Sequence, residues 1–203
     1  MKKKVFMMLV IILTIYPFIA SAQHISYPKF HLGVRAGYTF NNVTGKQQHF
    51  EYYSCSEPIS HNSIYGGVSM DFRITPFPLY LETGAYWMNR KYSYVADITV
   101  ESVPSMTMTV KDDFFHIPLL FSYHFYLNDN MAIQPFAGGY GGYLRNSESF
   151  GYGVRLGCGV NYRRFYANVG YDIDLSKHKW NKYKVDHFNA LFITLGYNII
   201  GGL

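Results

Sequence analysis

The chain has 203 residues, 19% of them aromatic and 15% charged, with 18 glycines and a mean hydropathy close to neutral. That composition excludes intrinsic disorder, and the about 180 residues beyond a leader make one domain of ordinary size rather than two. The formal charge of +5 falls to +2 once Lys2, Lys3 and Lys4 leave with the leader, which excludes a nucleic-acid-binding surface.

Residues 1–22 have the layout of a secretory signal peptide. Lys2 to Lys4 form a positive start, Val5 to Ile19 an apolar stretch interrupted at Pro17, and Ala20-Ser21-Ala22 a small-residue cleavage site before Gln23. The apolar stretch is shorter than the ~20 residues of a spanning helix. No Cys follows the cleavage site, which argues against a lipoprotein. Later apolar runs also fall short of helix-spanning length, so residues 23–203 are expected to form one exported domain, either soluble or a barrel. Export permits a disulfide between Cys55 and Cys158. Cys55 lies in a polar loop and Cys158 mid-strand on an apolar face, so two independent thiols are expected.

Beyond the leader, apolar residues recur at every second position, the mark of strands with two unlike faces. Eight runs follow in chain order. Phe30 to Asn41 sets Phe30, Leu32, Val34, Ala36, Tyr38 and Phe40 against His31, Gly33, Arg35, Gly37, Thr39 and Asn41. Tyr65 to Thr75 opposes Val68, Met70, Phe72 and Ile74 to Gly67, Ser69, Asp71 and Arg73. Leu79 to Arg90 opposes Leu79, Leu81, Ala85 and Trp87 to Tyr80, Glu82, Gly84, Tyr86 and Arg90. Phe115 to Leu127 puts Phe115, Ile117, Leu119, Phe121, Tyr123, Phe125 and Leu127 on one side and His116, Ser122, His124 and Tyr126 on the other. Pro118 sits awkwardly there, because proline cannot donate to a ladder.

The fifth run, Ala132 to Tyr143, is glycine-rich and ambiguous in its facing. Phe150 to Arg163 sets Tyr152, Val154, Leu156, Cys158, Val160 and Tyr162 against Arg155, Asn161, Arg163 and four glycines. Phe165 to Leu175 opposes Ala167, Val169, Tyr171 and Ile173 to Tyr166, Asn168, Gly170, Asp172 and Asp174. Ala190 to Ile200 opposes Leu191, Ile193, Leu195, Tyr197 and Ile199 to Thr194, Gly196 and Asn198.

Connection lengths alternate. The tight ones are Thr75-Pro76-Phe77-Pro78, Asn128-Asp129-Asn130 and the Arg163-Arg164 junction. The long ones run from Asn42 to Ile64, Lys91 to Phe114 and Ser176 to Asn189, while Leu144 to Ser149 is short but polar. An even number of strands about ten residues long, with long loops at one end and tight turns at the other, is the plan of an outer-membrane barrel. The expected fold is therefore all-β, an eight-stranded antiparallel up-and-down transmembrane barrel with both termini in the periplasm. Its greasy face points to lipid. Trp87 and Tyr143 suit an aromatic girdle at the loop end, and Tyr123, Phe125, Tyr162, Phe165 and Tyr197 one at the turn end. A soluble sandwich or lipocalin-like barrel would instead turn the greasy face inward and leave the aromatic ends and the loop asymmetry unexplained.

The polar face then lines the lumen. It carries Arg35, Asp71, Arg73, Glu82, Arg155, Asp172 and Asp174, with Arg90, Arg163, His116 and His124 nearby in the pattern. Charges withdrawn from water need partners, so an ion-pair and hydrogen-bond network that fills the lumen is expected, with a narrow anion-preferring pore as the alternative. Asp172 and Asp174 share a face, as do Ser122 and His124, but the carboxylates have arginine neighbours and no nucleophile, and the Ser-His pair faces away from lipid. The loop histidines His49, His61, His178 and His187 lack ligand spacing. Gly138-Gly139 and Gly141-Gly142 lack phosphate-loop order. No catalytic residue, metal or cofactor is expected. The loop segments His49-Phe50-Glu51-Tyr52-Tyr53 and Lys177 to Lys184 mix basic and aromatic residues that suit anionic glycan or lipopolysaccharide, or simply pack on one another.

Several segments resemble the PorT-like "porin family" barrels of Bacteroidota: Phe30 to Gly45, Phe115 to Tyr123 with its Ile117-Pro118-Leu119, Pro135 to Tyr140, Tyr152 to Val160, and Phe192 to Ile199. The chain departs at its end, where Ile200-Gly201-Gly202-Leu203 replaces the usual closing aromatic of an assembly signal. The resemblance implies an integral outer-membrane protein, with some members linked to protein secretion, and supplies no catalytic residue. The expected partners are outer-membrane lipid and lipopolysaccharide, the barrel-assembly machinery and an unidentified surface or secretion partner, with no nucleic acid. The expected role is structural or surface-interaction, with a secretion accessory or a small-solute pore as alternatives.

Overall fold

The structure is a computed structural model that describes residues 28–98, 104–180 and 183–202, so the leader assigned to residues 1–22 lies outside the described residues. Eight long strands carry the fold: β1 (Phe30–Thr44), β2 (Ser63–Arg73), β3 (Leu79–Ile98), β4 (Met106–Tyr123), β5 (Met131–Leu144), β6 (Ser149–Tyr162), β7 (Phe165–Asp174) and β8 (His187–Ile200). Each pairs antiparallel with its sequence neighbours. β1 also pairs with β8, from Leu32 opposite Ile200 to Thr44 opposite His187, and this seam closes the sheet into a barrel. Closure is what lipid demands, since a free edge there would leave backbone groups without partners.

The facing follows the period-two reading. In β1, residues 31, 33, 35, 39, 41 and 43 are buried, while Val34, Tyr38 and Phe40 are exposed on the outside. Phe115, Ile117, Leu119 and Phe121 of β4 and Leu191, Ile193 and Leu195 of β8 are likewise exposed, and together they make an apolar outer band. The ambiguous β5 resolves with Ala132, Gln134, Phe136, Tyr140 and Leu144 inward. At Pro118 the β3–β4 ladder has no paired residues opposite Gly84 and Ala85, and the Thr83 hydroxyl donates to the Pro118 carbonyl at 2.8 Å. The β4–β5 ladder runs on unbroken through Pro118 opposite Tyr140.

Three boundaries differ from the sequence reading. The fourth run ends as a long strand at Tyr123, and Phe125–Asn128 forms a separate short strand on β5, with a register irregularity after Tyr126. Arg163, expected in the lumen, sits exposed in the β6–β7 turn with φ 55°, and its backbone N–H donates to the Asn130 carbonyl. The long loop expected over Lys91 to Phe114 is mostly strand. β3 runs 20 residues, about 66 Å of chain at ~3.3 Å per residue, more than a ~30 Å hydrocarbon layer needs even at a steep tilt.

The upper part of β3 and β4 stands beyond that layer, and there the polarity of the faces inverts. Tyr92, Tyr94, Ala96 and Val110 point inward and pack with Val43, Cys55, Val185 and Phe188 into an apolar cap, with Phe50 and Tyr53 against it. Short strands of the first loop hold the cap in place: Tyr53–Cys55 pairs with Ala96 to Ile98, and Ile59–His61 with Lys91 to Ser93. The Asn42 to Ile64 connection is therefore largely paired backbone rather than open loop.

Cys55 is buried in this cap and Cys158 is exposed on the outer face of β6; both are free thiols. Burial, with the Asp97 carboxylate nearby, pushes the Cys55 thiol above its ordinary value. A raised thiol value means less thiolate at a given pH, so alkylation is slow near neutrality and keeps rising at pH values where an exposed thiol has levelled off. With Cys158→Ser in place, the folded protein is expected to resist a maleimide at pH 7 and to label rapidly after boiling in SDS, read by mass spectrometry. Rapid labelling of the folded form at pH 7 would contradict the buried placement.

Candidate functional site

The lumen is layered from the turn end to the loop end. Nearest the turns, the Tyr80 and His124 rings stack at 3.8 Å, and the Tyr80 hydroxyl donates to the Pro28 carbonyl. His31 lies 3.7 Å from the Asp71 carboxylate, beyond hydrogen-bond reach. Among the described residues, neither ring nitrogen of His31, nor Asp71 Oδ1, nor Ser69 Oγ has a hydrogen-bond partner. Asp71 also stands directly opposite Glu82 in the β2–β3 register.

In the middle layer, Arg155 grips Asp172 with two charge-assisted bonds, Nε to Oδ1 at 2.7 Å and Nη2 to Oδ2 at 2.8 Å, and its guanidinium lies 4.6 Å from the centre of the Phe192 ring. The two residues face each other across β6 and β7, so the fork–fork geometry is set by register. Arg35 donates to Asn198 at 2.8 Å and lies over Tyr166 at 4.2 Å, and Asn198 in turn donates to Asn161. Glu82 faces Arg35, Arg155, Tyr65 and Tyr86 around a cavity of about 10 Å³, room for about one water. Tyr65 and Thr194 hydroxyls bond across the same layer.

Near the cap, Arg90 pairs with Asp174 at 3.5 Å and covers the Phe114 ring at 3.8 Å. Asp174 also accepts from the backbone N–H and hydroxyl of Ser176. The seven residues singled out in the sequence thus divide into groups. Arg155 and Asp172 form one unit, Arg35, Glu82 and Asp71 surround the middle and lower space, Asp174 belongs with Arg90, and Arg73 is half-buried at the turn end.

Sequence reasoning put Tyr80, Tyr86 and Tyr166 on the inner face but missed most of the other inward rings. Tyr65, Phe114, Leu120, Phe136, Tyr140 and Phe192 form an apolar belt through the lumen. The signal was there, since Phe192 shares parity with Thr194 and Asn198. An inward glycine lies beside several of these rings: a Cβ at Gly37 would collide with Tyr65, one at Gly170 with Phe192 and one at Gly157 with Phe136. The polar strand faces are rich in glycine because large rings from neighbouring strands occupy that space.

The two constellations with catalytic patterns are placed as follows. Asp172 and Asp174 are engaged by different arginines. Ser122 lies 3.3 Å from His124 Nε2, and Gln134 Nε2 lies 3.3 Å from His124 Nδ1. Ser122, His124 and Gln134 are all buried inside the barrel, so the Ser-His pair faces the lumen and not the lipid. Among the described residues no cluster of three His, Cys, Asp or Glu side chains has metal-binding geometry. The candidate loop run Lys177 to Lys184 falls partly on residues 181–182, outside the described residues; around them His178–Trp180 pairs with Tyr183–Val185.

A closed eight-stranded antiparallel barrel with an apolar outer band and a charged interior is an outer-membrane β-barrel. The chain belongs to the outer membrane protein beta-barrel domain family, whose pattern matches residues 21–189. No curated protein matches it. Similar solved structures include a de novo designed transmembrane β-barrel, at 13% identity over 86% of this chain and 98% of that one with a TM-score of 0.39. OprG from Pseudomonas aeruginosa is similar at 10% identity over 85% of this chain and 97% of that one, TM-score 0.47. OmpT, an outer membrane protein of Vibrio cholerae, is similar at 13% identity over 75% of this chain and 54% of that one, TM-score 0.22. Likeness at this level carries no residue correspondence.

Proposed function

We propose that this outer-membrane barrel is a non-conducting, non-enzymatic scaffold whose work is done at its long-loop end, as a structural or surface-interaction component. The observation that carries this reading is the lumen. Arg35, Glu82 and Arg155 close around a cavity of about 10 Å³, and the apolar cap of Tyr92, Tyr94, Val110 and Phe188 lies above it. A hydrated ion needs a continuous polar path, and eight-stranded barrels are filled by side chains rather than water. Against an enzymatic role stand the burial of the Ser122–His124 pair inside the barrel, away from lipid, and the separate arginine partners of Asp172 and Asp174.

In this reading residues 1–22 are removed on export, both termini face the periplasm, and the long-loop end faces the outside. The tight β2–β3, β4–β5 and β6–β7 turns favour that orientation, because periplasmic turns are short and external loops long. The segments shared with PorT-like barrels of Bacteroidota support placing the chain with them, and its partners are then lipopolysaccharide, the barrel-assembly machinery and a surface partner.

Purified protein reconstituted in a planar bilayer is expected to give no discrete conductance, while showing the boiling-dependent gel migration of a folded barrel. Discrete channel openings from wild-type protein would replace this reading with a narrow pore.

A further inference from the structure

We propose that the long-loop end carries a binding site for an acidic oligosaccharide, built where the loop after β1 meets the segment between β7 and β8. This rests on the outward orientation of that end given above. The two segments converge because the β1–β8 seam runs up to Thr44 opposite His187, and the Asp186 backbone N–H donates to the Thr44 carbonyl at 2.9 Å. Above that point lies an open pocket of about 750 Å³, within the roughly 300–1,000 Å³ of small-ligand sites.

Its charge is uneven. Lys46 from the first loop and Lys177 from the last both line it, against a single carboxylate, Asp186. Neither lysine is in an ion pair among the described residues, so both ammonium groups are left for an anion. Two cations, one from each loop, lining a space of this size suit a ligand that carries more than one negative charge.

The remaining lining specifies what lies between those charges. Thr44, Gln48, His49 and His187 supply polar groups suited to hydroxyls. His187 is fixed in place, with Nδ1 donating to the Asp174 carbonyl at 3.0 Å, which directs its hydrogen bonding to ligand through Nε2. Phe50 contributes a flat apolar wall, held by stacking on Tyr53 at 4.6 Å and by its backbone N–H on the Tyr53 carbonyl. Two cations, hydroxyl partners and a fixed ring together match the carboxylates, hydroxyls and C–H face of an acidic sugar chain.

The test is calorimetric titration of the detergent-solubilised, heat-modifiable barrel with trigalacturonic acid, maltotriose and triglutamate. Trigalacturonic acid is expected to bind, with maltotriose at least tenfold weaker. Lys46→Gln and Lys177→Gln should each weaken binding about tenfold, the size of one lost charge-assisted contact near 1.4 kcal/mol, while leaving gel migration unchanged. Equal binding of the neutral trisaccharide, equal binding of triglutamate, or no binding of trigalacturonic acid by a folded barrel would each overturn the assignment. A channel in the bilayer would overturn the closed-scaffold reading instead, so the two failures are distinct. Competition by deacylated lipopolysaccharide core identifies a membrane-borne saccharide as the source, and lack of competition a free one; either leaves the acidic-saccharide site standing.

Discussion

Replacing Arg155 by alanine is expected to lower barrel stability by about 3–5 kcal/mol, the cost of leaving a buried charge without its partner. Asp172 sits 3% exposed, and Arg155 gives it both bonds of a fork while its guanidinium also covers Phe192. Removal leaves the carboxylate without the cation that grips it, and a gap beside the ring. Asp172→Ala should cost a similar amount for the converse reason. The double variant should cost clearly less than the sum, because the second removal takes away a charge that the first had already stranded. Urea unfolding of the protein in lipid vesicles, followed by gel migration and fluorescence, reads all three. An Arg155→Ala midpoint within error of wild type would mean that water reaches this layer, and would reopen the pore reading at the same time.

The parts of the fold that the sequence made legible are those in which one physical rule acts alone. Between the girdles, lipid accepts apolar side chains and the closed interior accepts the rest, so parity alone placed Val34 and Leu119 outside and Arg35 and Asp172 inside. Beyond the girdles that rule reverses. Tyr92, Tyr94 and Val110 alternate just as regularly, but their apolar side faces inward to the cap because water is outside. Alternation with the greasy side outward stops at Arg90, so it does not reveal the extension of β3 to Ile98.

The interior rings were hidden by a related assumption. Phe136, Tyr140 and Phe192 fill the lumen beside glycines on adjacent strands, and a lumen pictured as polar leaves no place for them. The charged residues were identified, but not who pairs with whom. Arg155 meets Asp172 through strand register, and Arg90 meets Asp174 through strands three and seven, a match that no local spacing encodes. The loop pocket is foreshadowed by the residue types near His49 and Lys177, but its location needs the β1–β8 seam, whose upper pair, Thr44 and His187, lies 143 residues apart in sequence.

Leu119→Arg is the sharpest test of which solvent the outer face meets. Leu119 is 55% exposed on β4, midway between Phe115 at the loop-side girdle, paired with Trp87, and Tyr123 at the turn-side one, and its outward neighbours in register are Thr83 and Gly139. An arginine there projects into the hydrocarbon midplane, where it costs about 2–4 kcal/mol, and small neighbours offer it no partner. The same change on a water-facing strand would fall within about 0.5 kcal/mol of neutral. Leu127→Arg is the matched control, exposed on the short strand at the turn end where the cost in a membrane falls to about 0–1 kcal/mol. Unfolding in vesicles should therefore separate the two variants by about 2 kcal/mol or more. Equal, negligible costs would turn the apolar face away from lipid and remove the basis for an outward-facing sugar site.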